Sequence, residues 1–182
     1  MQARIPGTFC SGRAGTRAVA LLLLALLAGA ATAVEEGEAA PAFALQRPDG
    51  TTVTLDDLEG QPALVLFWSS TCPWCRRLLP GIQRTHERYG EAGLRVLGIG
   101  IRDAGDPVAY AEELGLDFEF LVDGDAVAEA WGVQETPTWF VLDASGAVHY
   151  RSTDSDPEDP ALDLVPAQLL GLDPYDCGTA IC

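Results

Sequence analysis

The sequence predicts an α/β domain in which helices flank a central mixed β-sheet and a β-hairpin extends the N-terminal side. Three observations predict it. The unbroken aliphatic run "ALVLF" at 63–67 has the character of a strand buried on both faces, and "LRVLGIGI" at 94–101 reads as another apolar strand. They alternate with segments whose apolar residues recur at three and four positions, as do Leu78, Leu79, Ile82, His86 and Tyr89. The tight turn Ala144-Ser145-Gly146 then joins two strands as a hairpin, so the sheet is mixed rather than all parallel.

The elements follow in order. "FALQRPDGTTVTLDDLEGQ" reads as two short strands around the turn Pro48-Asp49-Gly50, then a polar connection. A strand at 63–69 runs into a helix at 73–89. After the strand "LRVLGIGI", Asp106 and Pro107 supply the cap and first turn of the helix "DPVAYAEELGL". "FEFLV" is a short strand and "DAVAEAWGV" a short helix. "TPTWFVLD" and "AVHYRS" form the closing hairpin, and an acidic loop leads to a weaker last helix in "ALDLVPAQLLGL". There is no internal repeat and no second domain.

The first 33 residues read as a leader. Arg4, Arg13 and Arg17 precede the apolar "AVALLLLALLAGAA", and Ala31-Thr32-Ala33 supplies a small-x-small cleavage site. An apolar run of about 14 residues is marginal for spanning a hydrocarbon core of about 30 Å, and an uncleaved membrane anchor is the alternative. The expected organisation is a signal peptide at 1–33, a flexible acidic lead-in at 34–42, one domain at 43–172 and a cysteine-containing tail at 173–182. Localisation is then extracytoplasmic, periplasmic or secreted, and membrane-anchored if the leader stays.

The formal net charge is −16, from 27 acids against 11 arginines and no lysine. Three of those arginines but none of the acids lie in the leader, so its removal leaves a still more acidic chain. Such charge argues against nucleic acid and anionic membrane surfaces as partners. Solubility, or a habitat of high salt, is the plainer reading.

Four of the five cysteines lie outside the leader: Cys72, Cys75, Cys177 and Cys182. Cys72 and Cys75 fall where a strand turns into a helix, in "FWSSTCPWC". There free backbone N–H groups and the helix dipole favour a thiolate at Cys72 and bring its pKa below the free value of about 8.5. Arg76 and Arg77 add positive potential one turn on. Cys75, inside the helix and shielded, is placed to resolve a mixed disulfide, and Pro73 suits the first helical turn. A static CxxC staple would stabilise little by loop closure. Zinc would need His86, His149 or the Cys177/Cys182 pair, none at a usual spacing, so no metal site and no cofactor is expected. Trp68, Trp131 and Trp139 read as core, Trp74 as an exposed substrate contact, and both histidines as structural.

Three blocks, "LDDLEGQPALVLFWSSTCPWC", "VLGIGIRD" and "WGVQETPTWFVLDASGAV", carry a resemblance to the thioredoxin superfamily. Within it the chain is similar to the extracytoplasmic thiol–disulfide proteins of the TlpA/ResA/CcmG type. The resemblance implies a thioredoxin-like fold, Cys72 and Cys75 as the catalytic pair, and Pro80 as the proline that kinks the active-site helix. It also implies a cis bond at Thr136-Pro137, with Pro73, Trp74, Thr136 and Pro137 meeting substrate. Leu66 and Leu78 stand where relatives carry an aspartate or a glutamate, and Thr71 where a tryptophan is common. The proton-handling carboxylates are therefore absent, with Glu135 and Glu59 as candidate substitutes.

The implied function is an extracytoplasmic thiol–disulfide oxidoreductase acting on exported proteins, apocytochrome c among them, as a monomer with a membrane redox partner. The alternative is a copper-binding or redox-sensing module without turnover, although methionine is absent after Met1. A peroxiredoxin fits less well, because Val65 and Ser69 occupy the positions of its expected proline and threonine. Cys177 and Cys182, five apart around Gly178, are expected to close a small peripheral disulfide, with an electron relay as the alternative.

Overall fold

The computed structural model describes residues 33–102 and 106–175. The leader up to residue 32, and Cys177 and Cys182 of the tail, lie outside the described residues. Among those described, no helix is long and apolar enough to cross a membrane. Seven strands are present: β1 Ala44–Gln46, β2 Thr52–Thr54, β3 Ala63–Trp68, β4 Arg95–Gly100, β5 Glu119–Leu121, β6 Thr138–Leu142 and β7 Val148–Ser152. Four helices accompany them: α1 Pro73–Tyr89, α2 Pro107–Glu113, α3 Asp125–Ala130 and α4 Ala161–Leu170. The connection before β3 forms a 3-10 turn at Asp56–Leu58.

The five-stranded sheet has the order β5-β4-β3-β6-β7. β3 pairs parallel with β4 and antiparallel with β6, which makes the sheet mixed as the sequence predicts. Every residue of β3 is buried. Side chains alternate across a strand, so Leu64, Leu66 and Trp68 pack with Leu78, Leu79 and Ile82 of α1. Val65 and Phe67 pack on the opposite face with Trp131 and Phe140. On that face the Trp131 ring lies 5.3 Å from Phe67 and 5.0 Å from Phe140, both edge to face. Its indole N–H donates to the Pro41 carbonyl at 3.0 Å.

Both sheet edges are partly covered. The β1–β2 hairpin meets the β5 side, where Val122 N–H donates to the Gln46 carbonyl at 3.0 Å and Arg47 ion-pairs with Glu119. The other edge is met by the lead-in. Gly37 N–H donates to the Val148 carbonyl, Val148 N–H to that of Glu38 and Ala40 N–H to that of Gly146, while Val34 is buried in the core. Residues 37–40 thus pair by backbone with residues 146–148, at the start of β7. An unpaired edge leaves a row of polar groups open, and this docking covers part of it.

α1 carries two unusual residues in its interior. Pro80 supplies no N–H to the carbonyl one turn back. Gly81 is buried against the segment that leads into α4, where a Cβ would stand 2.5 Å from the Pro157 carbonyl oxygen and 2.9 Å from Leu162. Gly81→Ala ordinarily gains helix propensity, up to about 1 kcal/mol. Here the neighbour is backbone, and overpacking of about 1–3 kcal/mol decides the sign. Chemical denaturation should show a net loss of stability, with the slope of the transition unchanged.

Candidate active site

The site lies where β3 gives way to α1. Trp68 closes β3, Ser69 and Ser70 are buried, and Thr71 is exposed at the turn. The Ser69 carbonyl accepts from Cys72 N–H at 3.1 Å, and the Ser69 and Thr71 hydroxyls lie 3.0 Å apart. This folds the chain back so that Cys72 becomes the N-cap of α1, with extended backbone at φ −83° and ψ 117°. Pro73 takes the first helical position, where no N–H is needed. Among the described residues Cys72 and Cys75 are the cysteines, and both carry free thiols.

The two thiols differ sharply. Cys72 is part-exposed, and its sulfur accepts from the Cys75 backbone N–H at 3.4 Å. Burial pushes its pKa up, but hydrogen bonds from the Thr136 and Cys75 side chains and from the Cys75 and Trp74 backbone outweigh it, so the pKa lies below that of an ordinary thiol. The leading causes are hydrogen bonds rather than the charges of Arg76 and Arg77. Arg76 instead donates from Nε to the Ser70 carbonyl at 3.0 Å and lies over the Tyr110 ring. Arg77 approaches Asp156 at 3.9 Å. Cys75 is fully buried, and burial pushes its thiol up to about 12, with Cys72 adding to the effect.

Thr136 and Pro137 lie across the cleft. Antiparallel pairing of β3 with β6 sets Phe67 opposite Thr138, so the residues before Thr138 face those after Phe67. The Thr136-Pro137 bond is cis, as the resemblance implies. The Cys72 thiol donates to the Thr136 carbonyl at 3.3 Å. Thr138 Oγ1 donates to the Glu135 carbonyl at 2.8 Å and fixes the turn. Pro137 is buried and Thr136 part-exposed, while Trp74 stands 58% exposed beside the cysteines. Cys72, Cys75, Pro73, Trp74, Thr136 and Pro137 are therefore gathered at one end of the sheet.

The remaining candidates divide. Trp68, Trp131 and Trp139 are fully buried, and Trp68 packs against Phe120 and Tyr110 in the cluster that also holds Cys75. His86 pairs with Asp117 at 3.6 Å and meets Phe118 edge to face, and His149 is exposed on β7, so neither belongs to the site of the thiols. Leu66 and Leu78 are fully buried in the Cys75 cluster. Glu59 does not serve as a substitute acid, because it precedes β3. Six residues of strand, roughly 20 Å, separate that end from Cys72. Glu135, exposed beside Thr136, is at the correct end. Among the described residues no three His, Cys, Asp or Glu side chains group as a metal set.

Residues 37–151 match the AhpC/TSA family. The thiol–disulfide oxidoreductase ResA of Geobacillus thermodenitrificans is 33% identical over 122 residues, which cover 64% of this chain and 68% of that protein. Peroxiredoxin Q of Triticum aestivum, a chloroplastic protein, is 32% identical over 126 residues, covering 64% of this chain and 58% of the relative. Among solved structures, a thiol:disulfide interchange protein DsbE from Chlorobium tepidum superposes with a TM-score of 0.70 at 27% identity. That superposition covers 76% of this chain and all of the other. With more than half of its length matched, and with ResA- and DsbE-type proteins as relatives in sequence and fold, the chain belongs to the AhpC/TSA family as a thioredoxin-like thiol–disulfide oxidoreductase.

Proposed function

We propose that Cys72 and Cys75 are the exchange pair, acting on disulfides of exported proteins. The observation that carries this reading is the asymmetry of the thiols: one part-exposed with a lowered pKa, the other buried with a raised one. The Cys72 thiolate attacks one sulfur of a substrate disulfide. The substrate S–S bond breaks, one substrate thiolate leaves, and a mixed disulfide remains on Cys72. Cys75 then loses its proton and attacks the Cys72 sulfur, releasing the second substrate thiolate and closing the Cys72–Cys75 disulfide. The reverse sequence oxidises a substrate dithiol.

Pro73, Trp74, Thr136 and Pro137 form the substrate face. An extended substrate segment pairs with backbone at Thr136 in the manner of strand addition, and Trp74 gives its flanking residues an apolar surface. The leader supports an extracytoplasmic setting, in which a membrane-bound redox partner restores the pair. Cysteine pairs of apocytochrome c are one substrate of suitable chemistry.

The similarity to peroxiredoxin Q favours a second reading, in which Cys72 attacks a hydroperoxide, forms a sulfenic acid and releases the alcohol or water. Val65, at the position of that chemistry's expected proline, is buried inside β3 and faces away from the cleft. Reduced protein should therefore consume hydrogen peroxide no faster than an ordinary thiolate. Consumption orders of magnitude faster would favour the peroxidase.

Cys72→Ser should abolish disulfide exchange. Cys75→Ser should trap substrate as a mixed disulfide visible on a non-reducing gel. Sustained turnover in both variants would sink the assignment.

The pKa directions give a labelling test. Iodoacetamide reacts with thiolate, so reduced Cys72 should reach half its maximal rate below the free-thiol pH of about 8.5. Cys75 should stay protected until the pH nears its pKa of about 12. Peptide mapping that found Cys75 labelled as fast as Cys72 at neutral pH would reverse the roles.

A further inference from the structure

We propose that Arg102 is a positioning residue for the exchange site: its guanidinium holds the loop that carries Thr136 against Cys72. The inference rests on the reading of Cys72 as the attacking thiol.

Arg102 lies just beyond β4, at the end of the sheet where the cysteines sit. Its backbone is in the left-handed region, φ +49°, which among the described non-glycine residues only Asp123 shares. Its N–H donates to Asp125 Oδ1 at 3.0 Å, which fixes the turn on the start of α3. From there the side chain crosses to the loop between α3 and β6. Nη1 donates to the Gln134 carbonyl and Nη2 to the Val133 carbonyl, each at 2.9 Å.

The loop is pinned on both sides of those carbonyls. At its start Gly132 N–H donates to Glu129 and Val133 N–H to Ala128. At its end the Thr138 hydroxyl bonds the Glu135 carbonyl. Arg102 spans the stretch between, two residues before the Thr136 carbonyl that receives the Cys72 thiol. Two adjacent carbonyls need two donors in a fixed plane, which a guanidinium supplies and a single ammonium does not. Arg76 makes a related contact on the facing loop, holding the Ser70 carbonyl before Cys72. Each wall of the cleft is thus tied down by an arginine acting on main-chain oxygens.

Arg102→Ala and Arg102→Lys, in the full chain, test this with two measurements. One is the pH midpoint of Cys72 labelling by iodoacetamide. The other is the split between KM and kcat for exchange with a disulfide-bonded peptide. In Arg102→Ala the midpoint should move up toward that of a free thiol, because the Thr136 side chain, whose hydrogen bond lowers the Cys72 pKa, no longer sits squarely against the sulfur. KM should rise about tenfold, the equivalent of roughly one hydrogen bond, with kcat changed less. Arg102→Lys should shift both quantities the same way by less. A folded Arg102→Ala with midpoint and KM unchanged overturns the proposal. If that variant does not fold, an unchanged midpoint and KM in Arg102→Lys overturn it instead. Labelling needs no substrate, so a wild-type chain that exchanges no disulfide defeats the functional reading and leaves the midpoint to judge Arg102.

Discussion

Burial of β3 on both faces is the constraint on which the rest of the structure depends. A strand with helices packed on each side must be apolar throughout, and Ala63–Trp68 is. Each apolar side chain fully buried there is worth about 1.5–3 kcal/mol relative to exposure, so register slippage or a strand shift is strongly opposed. Because β3 cannot move, the turn at its end cannot either. The register that locks β3 to β6 also fixes which residues face that turn. Cys72 and Thr136 are 64 residues apart in sequence and meet because one rigid strand serves both.

That arrangement explains how much was legible. The strand-to-helix junction was, since the apolar run, Pro73 and the three-and-four spacing are all local signals, and α1 spans the predicted 73–89. The placement of Thr136-Pro137 came through resemblance, because nothing local in "QETPTW" announces a partner so distant in sequence. The backbone pairing of segment 34–40 was not legible, for a physical reason. Its order comes from main-chain hydrogen bonds to β7, which any non-proline residue can make, so acidic and small residues gave no sign of it. Arg102 escaped notice likewise: its partners are carbonyls, which carry no residue identity, some 30 positions away. Glu59 was misplaced because the sequence does not say at which end of a strand a preceding loop will lie relative to the chemistry.

Among the described residues no acid is buried with Cys75, the chemical counterpart of this apolar scaffold. Leu66 and Leu78 complete the packing under the helix and leave no buried carboxylate there to accept the Cys75 proton. In the proposed exchange, the burial that protects Cys75 as a resolving group therefore raises the cost of using it. A thiolate forms there only when the proton has somewhere to go. The polar groups that act on the Cys75 thiol are the Ser69 backbone, the Cys72 thiol and the Thr136 side chain, and none of these is a carboxylate.

The two opposed shifts bear differently on equilibrium and on rate. At neutral pH a Cys75 thiol with a pKa near 12 is protonated whether the chain is folded or not, so its shift moves the reduction potential very little. A lowered Cys72 pKa stabilises the reduced form, and with it the oxidising tendency of the disulfide, only so far as that pKa falls below ambient pH. The thermodynamic bias thus rests on Cys72 and its hydrogen bonds, whereas the kinetic burden rests on Cys75. In the proposed exchange, attack by Cys72 on a substrate has the lower barrier, because its pKa lies below that of an ordinary thiol. Resolution waits on deprotonation in an apolar pocket. A centre built this way holds its mixed disulfide longer than one with a buried carboxylate, and contacts that secure the substrate during that interval gain weight. In the proposed exchange Trp74 at the surface and the Thr136 backbone supply those contacts, so the geometry of the Thr136 loop is where binding and chemistry would converge.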